Sequence, residues 1–438
     1  MCEQPSPSLT TAPSCLARAW NSRRALRAAA GALLLAALGC GGGSSGFATM
    51  GMPGIPSPTR VGANLVFADV AVNGHTGGRL GVDSGSPIML IDQAAFPGLN
   101  LGSAVEVHAN VTAGQFTVDN VPLVQESFGG GMDPLGFAGL FGANVMRQFT
   151  VRLDYANPDL AFRLGMPSME PAVDGVEVPG AAISFTLQGG GRGQLGGTII
   201  SFPATRIPLT VDVEGVSHPF ILDTGASETT VRSTVYNALI ADGRGQLNNL
   251  PITTVAGPGF ATVARVRTLT VGGQTVTDPV VMMIGDPLRD QLLDSISGEV
   301  NHTIDGLLGG NFLREFMVTI DYPRGTLHLQ RYTSAVIVDE FKRVGFELGP
   351  ASAASAHSYA VGVVYDNTDA AAKNLSPGDE LVSVDGRALD GLDSVAVDNL
   401  LNGNVGSTKA IGLGMTAVAA LANTTVTLLV EDLIPPPQ

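Results

Sequence analysis

The chain is poor in cysteine, aromatic residues and positive charge. Its 438 residues include three cysteines, one tryptophan and 5% aromatic residues. The cysteines are Cys2, Cys15 and Cys40, so none follows residue 40. A disulfide framework, a cysteine metal site and a cysteine nucleophile are therefore excluded from the region after residue 40.

Basic residues are also scarce, with 24 Lys and Arg against 39 Asp and Glu and a net charge of −15. Binding of phosphate backbones needs clustered Lys and Arg, so the balance excludes nucleic acid as a partner. The six histidines are scattered, with none at metal-ligand spacing. We therefore expect neither a metal nor a cofactor.

Long apolar runs are absent apart from one near the start. Basic residues from Arg23 to Arg27 precede the apolar segment 28–38, which is too short for a stop-transfer helix and ends just before Cys40. This arrangement resembles a bacterial lipoprotein signal, which implies removal of residues 1–39 and lipidation of Cys40. The alternative is an ordinary cleaved signal with an incidental cysteine.

The lipoprotein resemblance implies a location in the bacterial cell envelope, on the periplasmic side or at the cell surface. The lipid on Cys40 would be the contact with the membrane. Residues 40–59 are rich in Gly, Ser and Pro, which favours a flexible tether between the lipid and the folded part.

One short phrase occurs twice, as Asp83-Ser84-Gly85-Ser86 and as Asp223-Thr224-Gly225-Ala226. Each copy follows two alternating apolar runs joined by a turn dipeptide, Asn73-Gly74 or Glu214-Gly215. This pattern predicts a β-hairpin that leads into each aspartate.

The repeat continues downstream as Gly-Leu-x-Gly-x-Asn at 139–144 and 306–311. A repeat of this length indicates a duplicated lobe, since solenoid repeats are shorter. The second copy is longer between the aspartate and the Gly-Leu step. Its extra residues predict a helix near Val231–Asp242 and an insertion near Asp286–His302.

Two carboxyl groups in matched loops suggest acid-base catalysis by a pair of aspartates. Carboxylates in hydrogen-bond contact cannot both ionise cheaply, so they share a proton. One then acts as a base and the other as an acid, which is what activation of a water requires. We therefore predict Asp83 and Asp223 as the catalytic pair. The predicted supporting loop residues are Ser84, Gly85, Ser86, Thr224, Gly225 and Ala226.

Residues 60–332 resemble the pepsin and retropepsin superfamily of aspartic endopeptidases through these loops. The resemblance includes Leu140-Phe141-Gly142 and Leu307-Leu308-Gly309, which in that family thread behind the catalytic loops. It implies a mainly β, two-lobed β-barrel protease fold, with lobe 1 at 60–168 and lobe 2 at 169–333. Both aspartates lie in one chain, so a homodimer is not required.

The resemblance also implies a flap over the cleft. The candidate hairpin is in lobe 2 and contains Gly257, Gly259 and Phe260. Lobe 1 offers only a weaker candidate at 110–116. The flap tyrosine of pepsin has no obvious counterpart in either segment.

Residues 334–434 have a different character and resemble a PDZ domain, a small α+β module. The candidate carboxylate-binding loop is Val344-Gly345-Phe346, and the segment 376–386 matches the strand-turn core of that family. The resemblance implies capture of a peptide, which adds to the module as a strand.

Together these patterns predict an envelope-anchored aspartic endopeptidase that acts on peptides or proteins. The PDZ-like module would capture peptide or regulate the protease. The alternative is a non-catalytic, lipid-anchored, peptide-binding scaffold with a degenerate protease fold, because a fold does not by itself establish an activity.

Overall fold

The computed structural model describes most of the chain after residue 48. The described ranges are 49–50, 59–62, 64–114, 116–125, 138–157, 162–165, 181–195, 198–254, 257–333, 339–352, 355–418 and 421–437. The expected signal, Cys40 and most of the expected tether lie outside them. The expected domain boundaries after 168 and 333 lie within or beside undescribed segments.

In its described residues, lobe 1 is built from β-strands with one short helix and one turn of 3-10 helix at Gln93–Ala95. Its elements are β1 Thr49–Met50, β2 Thr59–Gly62, β3 Leu65–Val72, β4 His75–Asp83, β5 Met89–Ile91, β6 Glu106–Ala113, β7 Phe116–Gln125, β8 Gly139–Gly142, α1 Ala143–Met146, β9 Thr150–Asp154 and β10 Phe162–Gly165.

Three strands follow before lobe 2 repeats the pattern with added elements. They are β11 Ala181–Ser184, β12 Gly191–Leu195 and β13 Thr198–Phe202. Lobe 2 contains β14 Pro208–Val213, β15 Val216–Leu222, β16 Thr229–Val231, α2 Ser233–Leu239, β17 Gln246–Thr254, β18 Gly257–Arg265, β19 Thr268–Val271, β20 Gln274–Thr277, β21 Val280–Ile284, α3 Gln291–Val300, β22 Gly306–Leu308, α4 Gly310–Leu313, β23 Phe316–Asp321 and β24 Thr326–Arg331.

The hairpins β3–β4 and β14–β15 form as the sequence predicts. Asn73 and Gly74 have φ of 50° and 80°, and Glu214 and Gly215 have φ of 51° and 88°. Positive φ at both central residues is the two-residue turn that matches the twist of paired strands. The alternating burial of β3 and β14 then directs one apolar face of each hairpin into the core.

The two lobes share one strand order, which confirms the predicted duplication. The order β7-β5-β8-β4-β3 in lobe 1 matches β21-β16-β22-β15-β14 in lobe 2. In both lobes the strand that ends at the aspartate pairs in parallel with the Gly-Leu strand, β4 with β8 and β15 with β22. The added residues of lobe 2 form the two predicted features, α2 and α3, and the hairpin β17–β18.

A five-stranded sheet, β10-β9-β23-β24-β11, joins the lobes. At its centre β9 of lobe 1 pairs antiparallel with β23 of lobe 2, with Val151 opposite Ile320 and Leu153 opposite Val318. One contiguous apolar cluster includes these strands and the interiors of both lobes. Because the lobes share this core, the loops of Asp83 and Asp223 face each other with little freedom to slide.

Part of the expected tether belongs to the sheet of lobe 1. Thr49 and Met50 pair with Val118 and Thr117 on β7, and β2 pairs with β3. The prediction of a flexible tether over all of 40–59 is therefore wrong for these residues. Extended backbone beside an open sheet edge can add as a strand whatever its side chains are.

The C-terminal module has its own apolar core. Its elements are β25 Lys342–Arg343, β26 Phe346–Pro350, β27 Tyr359–Val364, α5 Asp369–Ala372, β28 Glu380–Val384, β29 Arg387–Ala388, α6 Ser394–Leu401, β30 Thr408–Leu413, β31 Thr425–Leu429 and β32 Glu431–Asp432. The predicted mainly β fold with two lobes and a small α+β module is confirmed. Within the described ranges, no helix combines the length and apolar character needed to cross a membrane.

Candidate active site

The two repeated aspartates meet where the lobes face each other. Asp83 is the last residue of β4 and Asp223 follows the last residue of β15. Each strand end is held by its parallel neighbour: Asp83 is opposite Gly142, and the Asp223 N–H donates to the Leu308 carbonyl at 3.1 Å. The carboxyl group of each aspartate lies against the loop glycine of the other lobe, Asp223 against Gly85 and Asp83 against Gly225.

Hydroxyl groups brace the two loops across the axis between the lobes. Thr224 Oγ1 accepts from the Ser84 N–H at 2.9 Å and donates to the Val82 carbonyl at 2.7 Å. Ser84 Oγ accepts from the Thr224 N–H at 3.1 Å and donates to the Leu222 carbonyl at 3.0 Å. All four bonds are buried, and each links one lobe to the other. Ser84 and Thr224 therefore brace the loops, as the sequence suggests.

The loop glycines are required by close approach. A Cβ atom on Gly85 would lie 2.5 Å from Cγ of Asp223, and one on Gly225 would lie 2.3 Å from Cγ of Asp83. Each glycine thus faces the carboxyl group of the other lobe. Any larger residue would force the two carboxyl groups apart.

Burial and proximity set the protonation of the pair. Burial raises the pKa of Asp83 well above its usual range, and the charge of Asp223 and its hydrogen bond raise it further. Burial also raises the pKa of Asp223, but Arg206 and the amides of Gly225 and Ala226 oppose this. The Ser86 N–H donates to Asp83 Oδ1 at 2.9 Å, and the Gly225 N–H donates to Asp223 Oδ1 at 3.0 Å. The pair therefore favours a single shared proton.

Both Gly-Leu strands pass directly behind the loops, as the family resemblance implies. A Cβ on Gly142 would lie 2.4 Å from the carbonyl carbon of Ile88, and one on Gly309 would lie 2.5 Å from that of Glu228. These contacts fix the loops from behind. The equivalence also shows that Glu228 in lobe 2 takes the place of Ile88 in lobe 1.

Arg206 and Glu299 are site residues that the sequence reasoning missed. Arg206 Nη1 donates to the Gly85 carbonyl, while its Nε and Nη2 donate to Glu299 Oε2 at 3.0 and 2.7 Å. Both side chains are almost fully buried. One available signal is the break in the repeat: strand register makes Arg206 the counterpart of the apolar Leu65.

A symmetric pair of tyrosines also lies near the dyad. Tyr155 and Tyr322 end the matched segments after β9 and β23, and both are buried. Burial raises the pKa of each, with a further contribution from Asp223 at Tyr155 and from Asp83 at Tyr322. Both therefore stay neutral at ordinary pH.

The predicted flap residues lie on the hairpin β17–β18, whose strands are long and partly exposed. Gly257 begins β18, Gly259 pairs with Ile252, and the Phe260 ring is 55% exposed. The lobe 1 candidate at 110–116 occupies the β6–β7 hairpin. In lobe 1, β6 pairs with β3, and in lobe 2 the strand that pairs with the equivalent β14 is β19. The β6–β7 hairpin is therefore the counterpart of β19–β21 and not of the flap hairpin, which corrects that prediction.

The predicted carboxylate loop of the C-terminal module is buried in the structure. The Val344 N–H donates to the Leu401 carbonyl at 3.2 Å, and the Phe346 N–H donates to the Val344 carbonyl at 2.8 Å. The Gly345 carbonyl accepts from the Tyr365 N–H at 3.0 Å. Two amides that the sequence offers to a peptide carboxylate thus already have acceptors inside the protein.

The residues that the structure describes hold no cluster of three or more His, Cys, Asp or Glu side chains arranged for a metal ion.

Comparison with known proteins bears on lobe 2 first. Residues 209–312 match a family model described as Aspartyl protease. The matched segment contains Asp223, the hairpin β17–β18 and the strand β22 behind the loop. No curated protein sequence matches the chain. Among solved structures the chain is similar to the aspartic proteinase from Irpex lacteus, with a TM-score of 0.38 and 15% identity over 65% of this chain and 98% of that one.

Proposed function

We propose that the protein is an aspartic endopeptidase whose catalytic pair is Asp83 and Asp223. The observation that carries the proposal is the meeting of two carboxyl groups on matched loops, where the glycine of each loop lies against the carboxyl group of the other. The family match over residues 209–312 supports it independently, because it includes the loop of Asp223.

The geometry suits hydrolysis by an activated water. With one proton on the pair, the ionised carboxylate takes a proton from water as the water attacks the peptide carbonyl. The protonated partner donates a hydrogen bond to the carbonyl oxygen, where negative charge develops. The proton gained from water then passes to the departing amine. No covalent intermediate with the protein is formed.

The first test is removal of each carboxylate without change of shape. Asp83→Asn and Asp223→Asn should each reduce cleavage of a peptide library by more than about a thousandfold, because the acid-base pair is lost. Burial raises the pKa of Asp83, so its ionised form destabilises the folded state as pH rises above the unfolded-state value. Asp83→Asn should therefore be at least as stable as wild type at pH 7.

Controls separate the dyad from other chemistry. Thr230→Val, a buried neighbour outside the brace, should retain cleavage. Full activity in either asparagine variant, or inhibition of wild type by a chelator but not by a statine-type inhibitor, would contradict the proposal. Peptide binding without cleavage by wild type at any pH from 3 to 8 would favour the scaffold alternative.

Lipidation of Cys40 and residence in the cell envelope are part of the same proposal. They depend on the basic, apolar and Gly39-Cys40 pattern of the first forty residues. Metabolic labelling with a palmitate analogue tests them: label on wild type and none on Cys40→Ala supports the anchor. Equal labelling of both would contradict it.

For the PDZ-like module, the contacts favour regulation of the flap. An apolar cluster joins Leu247, Ala261 and Val263 of the flap hairpin to Phe341 and Ile434 of the module. Burial of such a cluster stabilises the hairpin base against the module. A peptide that moved the module would therefore change the flap.

An ion-pair network reinforces this contact. Arg265 at the end of β18 donates to Asp339 at 2.8 Å and to Asp432 at 3.3 Å, and it also bonds the Ile434 carbonyl. The guanidinium is 5% exposed. It links the flap strand to both ends of the module, and its loss would leave two carboxylates without their buried partner.

Arg265→Met tests this coupling. We expect KM for peptide substrates to rise about tenfold with a smaller change in kcat, because the flap strand loses its anchor. Arg267→Met is a control with the same substitution at an exposed arginine, since Arg267 pairs with Glu214 and Asp242 inside lobe 2. Equal kinetic effects of the two variants would contradict regulation through this contact.

A further inference from the structure

One guanidinium group joins three parts of the chain behind the catalytic loop of lobe 1. Arg206 belongs to the segment that enters β14, and its Nη1 donates to the Gly85 carbonyl. Glu299, near the end of α3, binds the same guanidinium through Nε and Nη2. Glu299 Oε1 also accepts from the Gly190 N–H at 3.4 Å, which brings in the segment between the lobes.

The arrangement differs between the two sides of the dyad. In the hairpin β3–β4 Phe67 pairs with Gly81, and in the hairpin β14–β15 Pro208 pairs with Ile221. Gly81 and Ile221 both stand two residues before the aspartate of their lobe, so Phe67 corresponds to Pro208. Two residues earlier in each lobe, Leu65 is therefore the counterpart of Arg206. Leu65 is buried and apolar. The loop of Asp83 is thus held by a charged side chain from lobe 2, whereas lobe 1 places an apolar side chain at the equivalent position.

The charge acts on both carboxyl groups. Arg206 opposes the rise in the pKa of Asp83 and of Asp223 that burial causes. Two tyrosines also interact with the dyad, Tyr155 with the charge of Asp223 and Tyr322 with the charge of Asp83. Glu299 lies behind the guanidinium and partly cancels its charge. Arg206 and Glu299 therefore influence the dyad with opposite sign.

We propose that Arg206, oriented by Glu299, is a positioning residue that fixes the Asp83 loop and sets the lowest pH at which the dyad carries its single negative charge. The inference depends on the proposed function for its effect on cleavage. The bonds to Gly85 and the burial of the pair carry it independently of any turnover. Arginine suits the role because its fork of donors serves a carbonyl and a carboxylate at once.

The test uses two variants with opposite expected signs. Arg206→Met removes the positive charge, so the acid limb of the kcat/KM profile should move up by about one pH unit. Glu299→Gln leaves the guanidinium uncompensated, so the limb should move down. A structural brace alone would give lower activity in both variants without opposite shifts.

Three further variants separate the effect of charge from the effect of lost structure. Arg206→Lys should restore the acid limb while kcat stays reduced, because the charge returns without the fork. Arg206→Met/Glu299→Gln avoids an unpaired buried carboxylate and should still shift the limb upward. Arg244→Met removes a buried arginine paired with Glu214 and Asp242 in lobe 2 and should lower stability without moving the limb.

Carbon-13 NMR of the aspartate carboxyl groups, assigned with Asp83→Asn and Asp223→Asn, measures the same shifts without substrate. Opposite shifts of the dyad titration in Arg206→Met and Glu299→Gln would support the inference even if wild type proved inactive. Shifts of the same sign, or none, would overturn it even if wild type cleaves peptides. Failure of this inference and failure of the proposed function are therefore distinguishable.

Discussion

Lobe 1 and lobe 2 reach the dyad with the same strand order, yet lobe 2 surrounds it with far more structure. Between β16 and β19 lobe 2 adds α2 and the hairpin β17–β18, whereas lobe 1 has one turn of 3-10 helix at the same place. Lobe 2 also supplies Arg206 to the opposite loop. Lobe 1 contributes a carboxyl group and half of the brace.

The difference indicates a division of labour within a duplicated fold. The chemistry needs two equal loops, so the brace and the glycines are symmetric. The residues added to lobe 2 include the hairpin β17–β18, which packs against the C-terminal module. In the proposed function, binding and regulation are therefore features of lobe 2 alone.

The largest effect should come from removing one hydroxyl of the brace that Ser84 and Thr224 form between the lobes. Thr224→Val keeps the shape of the side chain but leaves the Ser84 N–H and the Val82 carbonyl without partners. We expect a loss of about 2–4 kcal/mol in the free energy of unfolding and a fall in kcat of about a hundredfold, because the carboxyl groups separate. Urea denaturation and peptide cleavage measure both.

The control for this variant is Thr230→Val in the same lobe. Thr230 is buried, but its hydroxyl makes only a 3.4 Å bond to the Glu228 carbonyl. If Thr224→Val behaved like Thr230→Val in both measurements, the brace would have no special role.

A smaller effect on the free energy of unfolding should distinguish Asn144 from Asn311, the matched asparagines that end the two Gly-Leu-x-Gly-x-Asn segments. Asn311 accepts from the Thr229 N–H and hydroxyl, both at 2.9 Å, and donates to the Val280 carbonyl. Asn144 donates to the Pro122 carbonyl at 2.8 Å, while its Oδ1 is buried without a partner.

Asn311→Ala should therefore destabilise the protein by about 1–2 kcal/mol more than Asn144→Ala, since more buried groups lose partners. Urea midpoints and slopes of both variants give the comparison. An equal or reversed order would show that lobe 1 is held as firmly as lobe 2.

The smallest effect concerns Glu228, where lobe 1 has Ile88. Burial raises the pKa of Glu228, and the nearby Glu340 raises it further. Asn64 Nδ2 donates to both carboxyl groups, at 3.0 and 2.6 Å. A raised folded-state pKa means that the cost of ionisation is absent at low pH and grows as pH rises above the unfolded-state value.

Glu228→Gln should therefore add about 1 kcal/mol to the free energy of unfolding at pH 7.5 and almost nothing at pH 4. Denaturation at the two pH values measures the difference. A gain that is equal at both, or a loss at pH 7.5, would contradict the raised pKa.

Local patterns made much of the site predictable from sequence. The turn dipeptides indicated the two hairpins, and the repeated phrase was enough to identify Asp83, Asp223 and the brace residues. The unequal spacing of the repeats predicted the helix α2 and an insertion at the place where α3 forms. These features depend on residues close together in sequence or on comparison of one lobe with the other.

What the sequence did not reveal depends on contacts between distant segments. Arg206 and Glu299 are 93 positions apart, and neither belongs to a repeated motif. The contact of Arg265 with the C-terminal module joins residues 74 and 167 positions apart. A single charged residue beside an apolar strand has no periodic pattern, so only the fold shows which side chain it meets.

Complementation between inactive variants tests the central claim, that the lobes of one chain supply both carboxyl groups, most directly. Cleavage of one peptide substrate is measured for wild type, Asp83→Asn, Asp223→Asn and an equimolar mixture of the two variants, over a hundredfold range of protein concentration. We expect activity in wild type, with a rate per chain independent of concentration, and none in the mixture. Activity restored in the mixture would mean that the pair forms between two chains, and an inactive wild type would mean that this dyad is not a protease.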